Sequence, residues 1–296
     1  MEYRDDARID TSQVRRGGGG GRRRGGGIAI GGVGGLAVVV LVLLFGNNLG
    51  ISLSDVIGED MAPQQQAERA NTDAMQQCRT GADIEADREC RWPAYVSAIE
   101  GYWDDALTGY EHAPTQLFSG QVATACGTGS SEMGPFYCPG DTTVYLDTQY
   151  LGQLLDQLGA AGGDAAEAYV LAHEYGHHVS NLTGSMRSAR DGDNTTGPAS
   201  NQVRLELQAD CYAGVFFANT VQDPTSPIRD VTRDDLARIV GAARAVGDDH
   251  IQQRGGGRVV PESWTHGSSE MRQRWVLTGF DSGDANQCDT FSTDDL

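Results

Sequence analysis

Apolar residues recur at three- and four-residue steps in several stretches of the chain, the spacing of one buried helix face. Trp92, Tyr95, Val96, Ile99 and Trp103 predict a helix over 91–109, with Pro93 in its first turn. Residues 148–158 read as a second helix. Gly162–Gly163 breaks the pattern, and Asp164 with Glu167 three residues on has the form of a capping box. That box would open a helix over 165–182, which Gly184 ends. Further helices are predicted from about Asn201 to Asn219, over 233–249 and over 268–277. Strict alternation appears at Thr143–Asp147, and 115–123 is a second strand candidate. Cys126–Cys138, Asp191–Ser200 and Gly255–Gly257 are rich in Gly, Ser, Asn or Pro and read as loops. The pattern predicts an α+β domain that is mostly helical with a small sheet.

One apolar stretch has no periodicity. Ile28–Phe45 is 18 residues without a charge, and as a helix it would span about 27 Å, enough for the hydrocarbon core of a membrane. Arg15, Arg16, Arg22, Arg23 and Arg24 lie before it, and the next Arg is Arg69. The positive-inside rule then predicts a single-pass protein of the cell membrane, its N-terminus cytoplasmic and its large C-terminal part outside. The expected division is a disordered Gly/Arg-rich tail over 1–27, one transmembrane helix over 28–45, a spacer over 46–74 and a folded domain over 75–291. A cleaved signal peptide is the alternative, although Gly46–Gly50 offers no A-x-A cleavage site.

Charge and cysteine usage narrow the function. The 296 residues carry a net charge of −19, which speaks against a nucleic-acid partner despite the Arg/Gly tract. All 22 basic residues are Arg, so any mechanism that needs a catalytic lysine is excluded. Six cysteines all follow the apolar stretch, and an even number in that position predicts disulfides in an oxidising compartment. Sequence proximity suggests Cys78–Cys90 and Cys126–Cys138, which leaves Cys211–Cys288 by elimination.

The candidate chemistry lies at His173-Glu174-Tyr175-Gly176-His177, an H-E-x-x-H sequence inside a predicted helix. Residues i and i+4 share a helix face, so both imidazoles can meet one metal ion, and Glu174 can reach a water beside it as general base. The next strong helix carries Glu206 and, one turn on, Asp210. Glu206 completes a His₂Glu set with one coordination position free, the composition of a catalytic zinc site. Asp210 can hold the free ring N–H of a ligand histidine. The 29 positions between His177 and Glu206 suffice for the second helix to return antiparallel. His178 points about 100° away from His177 and is expected to pack rather than ligate. Val144–Leu146 is a candidate edge strand for an extended peptide. His112 has no partner suggested by the sequence.

Together, Gly134–Pro139, Val144–Asp147, Ala168–His178, Glu206–Gly214, Val246–Asp249 and Thr265–Arg272 resemble the bacterial neutral zinc metallopeptidase family. The one departure noted is Met271, where that family suggests Gln. The resemblance spans nearly the whole chain and implies a membrane-anchored zincin with His173, His177 and Glu206 as Zn²⁺ ligands and Glu174 as base. Thr265-His266-Gly267 followed by Arg272 also resembles the H-P-x-x-x-x-R segment of membrane-associated gluzincins, with Gly in place of Pro. That likeness implies His266 as a catalytic donor to the tetrahedral intermediate; a buried structural histidine is the alternative. The expected activity is zinc-dependent hydrolysis of peptide or protein substrates in the cell envelope. The alternative is a non-catalytic zinc-containing envelope scaffold, against which the intact Glu174 argues.

Overall fold

In the computed structural model, which describes residues 1–17, 75–190 and 194–296, the chain opens with two short strands, β1 (Glu2–Tyr3) and β2 (Val14–Arg16). Helix α1 (Arg91–Ala106) leads to strands β3 (Thr115–Leu117), β4 (Gln121–Thr124), β5 (Gly127–Ser130), β6 (Phe136–Cys138) and β7 (Thr143–Leu146). Helices α2 (Thr148–Leu158), α3 (Asp164–Leu182), α4 (Ser185–Arg190) and α5 (Asn201–Thr220) follow. The rest is β8 (Ile228–Asp230), α6 (Arg233–Ala245), α7 (Asp248–Arg254) and α8 (Ser269–Ser282). This is the mixed helix-and-sheet content that the periodicity predicts.

A four-stranded sheet has the order β2-β3-β7-β6, parallel from β2 to β7 and antiparallel at β6. β7 has a neighbour on each side, and all four of its residues are buried: Val144 and Leu146 join the main core, and Tyr145 packs with Phe118 and Phe136. The expected edge strand at Val144–Leu146 is therefore interior, and β2 and β6 are the edges of this sheet among the described residues. The single strand expected over 115–123 is two, β3 and β4, with a turn at Ser119–Gly120 between them. The β4–β5 hairpin is tied to the end of β6 by Cys126–Cys138. All three disulfides follow the pairing suggested by proximity and elimination.

The helices begin where short polar side chains satisfy the first N–H groups. Asp147 caps α2, Ser200 caps α5 and Ser268 caps α8. The proposed Asp164/Glu167 capping box does not form. Asp164 instead binds Arg88 and Tyr3, and Glu167 binds Arg91, so both acids tie α3 to neighbouring segments. The one helix expected over 233–249 is two. Gly247 breaks it with extended backbone pressed on Ser269, where a Cβ would meet the Ser269 amide nitrogen at 2.5 Å.

Residues 1–17 correct the largest expectation. β1 pairs with β8 and β2 with β3, and the Met1 amine bonds the Asp235 carboxylate at 2.6 Å. Tyr3 reaches Tyr95 and Asp164 by its hydroxyl. The start of the chain thus belongs to the same body as residues 75–296, and is not a disordered tail. A segment that crosses a bilayer once puts its two flanks on opposite faces, so the expected single-pass arrangement does not hold. Among the described residues no helix is long and apolar enough to cross a membrane. The expected span over 28–45 lies outside the described residues, as do 18–27 and 46–74.

Two close helix contacts position the site. Gly176 on α3 faces Ala209 on α5, where a Cβ would meet the Ala209 Cα and carbonyl oxygen at 2.8 Å each. Gly214 on α5 and Gly279 on α8 face each other's helix: a Cβ would meet the Val276 oxygen at 2.1 Å and the Cys211 oxygen at 2.0 Å respectively. Only glycine lets these backbones approach so closely. The first contact brings the two histidines of α3 to Glu206; the second brings α8 to Asp210.

Candidate metal centre

His173, His177 and Glu206 converge, each offering a ligand atom within 4.8 Å of the others, and the grouping could hold a metal ion. Nε2 of His173 lies 3.2 Å from one Glu206 oxygen, and Nε2 of His177 lies 3.5 Å from the other. The rings stand nearly perpendicular, 85° apart, with both Nε2 atoms turned to the same carboxylate. Nδ1 of His177 is buried without a hydrogen-bond partner, so this ring is held by packing. The set fits zinc in composition: two imidazoles and one carboxylate.

Behind His173 is a fully buried ion network. Asp210, 0% exposed, takes the His173 Nδ1 at 2.8 Å. The same carboxylate accepts two bonds from Arg272, through Nε and Nη2 at 2.8 Å each, and a third from the Tyr169 hydroxyl. Arg272 also comes within 3.9 Å of Glu206. The sequence pointed to Asp210 but left Arg272 and Tyr169 without this role. Tyr169 precedes His173 by four residues on α3, a same-face spacing that could have revealed it. Arg272 is 62 positions from Asp210, and no local pattern connects them.

Charge in the cluster follows from burial and partners. Burial opposes ionisation of Glu206, but His177, His266 and His173 outweigh it and hold the carboxyl well below its ordinary range. Burial likewise opposes protonation of His173, yet Asp210 and Glu206 raise it to about 9. Asp210 is held low against its burial by Arg272 and His173. The cluster thus stabilises positive charge at the point where the three donors meet. Glu174 is 8% exposed and faces the same cleft; burial raises its pKa, against the pull of His173 and His177.

His266 also lines this cleft, with its side chain 21% exposed. Its Nδ1 meets the Thr265 hydroxyl at 3.0 Å and Asp248 at 3.5 Å. The other Asp248 oxygen accepts the N–H groups of Thr265, His266 and Gly267 at 2.7–2.9 Å, which fixes the loop. No local pattern marks Asp248 for this role, because the three N–H groups it holds lie 17–19 positions further on. His178 points elsewhere, as expected: it bonds the Tyr137 hydroxyl and the Glu111 carbonyl and pins β6 to α3. Tyr145 and Tyr212 pack away from the cluster, the first on Phe136 and the second on Trp103. His112 sits between Asp104 and Glu100.

The cleft in front of the cluster has a volume of about 210 Å³. The Gly134–Tyr137 stretch that leads into β6 forms one wall.

No solved structure matches this chain. The protein Rv2575 of Mycobacterium tuberculosis, described as uncharacterized, is 48% identical over 75% of this chain and 77% of its own length. YpfJ of Escherichia coli, also described as uncharacterized, is 38% identical over 87% of this chain and 86% of its own. A family model matches residues 1–291, and the chain belongs to that family, described as "Putative neutral zinc metallopeptidase".

Proposed function

We propose that this chain is a peptidase that uses one zinc ion held by His173, His177 and Glu206. The observation that carries the reading is the convergence of these three donors with Glu174 in the same cleft. A zinc ion there would supply Lewis acidity toward a substrate carbonyl and make an adjacent water easier to deprotonate. Glu174 takes the proton from that water and passes it to the leaving amine. Asp210, braced by Arg272 and Tyr169, accepts from the His173 Nδ1 and leaves Nε2 free to ligate. Nδ1 of His266 is engaged by Thr265. Burial opposes protonation of the ring, but Glu206 and Asp248 outweigh it and raise the pKa; the protonated ring donates from Nε2 to the oxygen on which negative charge develops. The free edge of β6 pairs with the extended backbone of the substrate.

The test is cleavage of a peptide library by the full zinc-loaded chain beside its Glu174→Gln variant. Cuts made by the parent and missing from a variant that still holds zinc are the expected result. Equal cutting by both would remove Glu174 from the mechanism.

A further inference from the structure

The cleft is chemically lopsided. At one end it is bounded by the N-terminal half of α3, by α2 and by α7, and the side chains there are apolar. Leu151, Leu155 and Ile251 form its floor and are 1%, 1% and 6% exposed. Leu154 and Val170 form a partly exposed rim. On α2, Leu151, Leu154, Leu155 and Leu158 fall at i, i+3, i+4 and i+7, one continuous stripe, while Gln153, Asp156 and Gln157 face solvent. Val170 precedes His173 and Glu174 by three and four residues on α3, so this pocket lies one helical turn from the proposed base. A Cβ on Gly134 would meet Cδ2 of Leu154 at 3.0 Å, so the rim is in contact with the segment that leads into the edge strand.

We infer that this pocket receives a large apolar substrate side chain, of Leu, Ile, Met or Phe, adjacent to the bond that is cut. The inference rests on the peptidase reading and adds the substrate class. A backbone paired with β6 alternates its side chains between the two faces, and one of them falls toward the Leu154 wall. A charged or amide side chain there would lose its water with no donor or acceptor to replace it. An apolar one displaces water from the exposed rim and gains contact.

The experiment uses the full chain with zinc and peptides identical except at the residue on either side of the cleaved bond. Changing Leu to Ala at the selected position is expected to lower kcat/KM roughly 10- to 200-fold, the range for lost methylene groups in an apolar pocket. Asp at that position is expected to lower it further. Leu154→Trp, which fills the pocket from its rim, should cut the Leu-over-Ala ratio at least about tenfold on the same scale. Val170→Phe does so from α3 and serves if the Trp variant does not fold; zinc content and thermal midpoint report folding for both. Glu174-dependent cuts with no apolar enrichment, or enrichment unchanged in both folded variants, would overturn the inference and leave the peptidase reading standing. An absence of any Glu174-dependent cut from the zinc-replete parent would overturn the peptidase reading and this inference with it.

Discussion

Glu206 and Glu100 are both buried beside histidines, and they behave in opposite ways. Glu206 and Glu100 are 6% and 3% exposed, so burial is common to both. Glu206 faces His173 and His177, with His266 and Arg272 close by, and these hold it ionised. Glu100 has the Ala113 amide at 2.9 Å and only the partly exposed His112, at 3.7 Å, for a cationic neighbour. Burial therefore pushes Glu100 up to about 7. At Glu206 and Glu100 burial is alike, so the surrounding charges decide whether the acid stays ionised; at Glu174 burial wins despite His173 and His177, and Glu206 adds to the rise. Two facing helices gather several partners around Glu206. One loop brings a single histidine to Glu100, which yields a group that titrates near neutrality.

The comparison breaks most sharply at Glu206. Glu206→Ala is expected to abolish both stoichiometric zinc and peptide turnover, whereas Glu100→Ala keeps zinc; metal analysis after gel filtration reads both. Zinc retained in the Glu206 variant would remove it from the ligand set. Next in size is His266→Ala, expected to lower turnover ~100- to 1000-fold with zinc retained, the worth of one oxyanion donor. Unchanged turnover in the folded variant would make His266 a packing residue.

Arg272→Ala probes the network behind the metal. It leaves Asp210 buried with less compensation, at a cost of about 3–5 kcal/mol in unfolding free energy. Zinc affinity should also fall about 10- to 100-fold, because the His173 ring loses its braced partner. Denaturant unfolding and zinc titration measure the two effects separately.

The smallest effect belongs to Glu100 and is a pH dependence. Its folded pKa of about 7 lies above the ordinary 4.5, so between those values the folded protein keeps a proton that the unfolded chain releases. Stability then falls as pH rises through that window, by roughly 3 kcal/mol in all. His112 adds a loss of the same sign. Burial lowers its pKa, but Asp104 and Glu100 outweigh that and raise it, so its contribution is present below pH 6.5 and fades as pH rises through the folded value. Glu100→Gln should flatten the fall between pH 4.5 and about pH 7. An unchanged slope would mean that Glu100 is ionised throughout.

The metal donors were legible in sequence because helix periodicity places His173 with His177, and Glu206 with Asp210, without any tertiary knowledge. The disulfides were legible because two of them close short local loops. What escaped depends on partners far along the chain. β1 and β2 are two and three residues long, too short for a pattern, and form only against Ile228–Asp230 and Thr115–Leu117. Arg16 was counted toward a topology signal, yet it pairs with Glu89. Arg272 and Asp248 are ordinary surface residue types until α8 and the 265–267 loop bring them inside. β6 becomes an edge, with β7 interior, only once β3 has paired with β7.

The most direct test of the metal centre is a crystal structure of the zinc-loaded full chain with anomalous data at the zinc edge. The account predicts one zinc per chain bonded to His173, His177 and Glu206, with Glu174 beside it and not among its ligands. Zinc elsewhere, or none in a folded chain at saturating concentration, would contradict it.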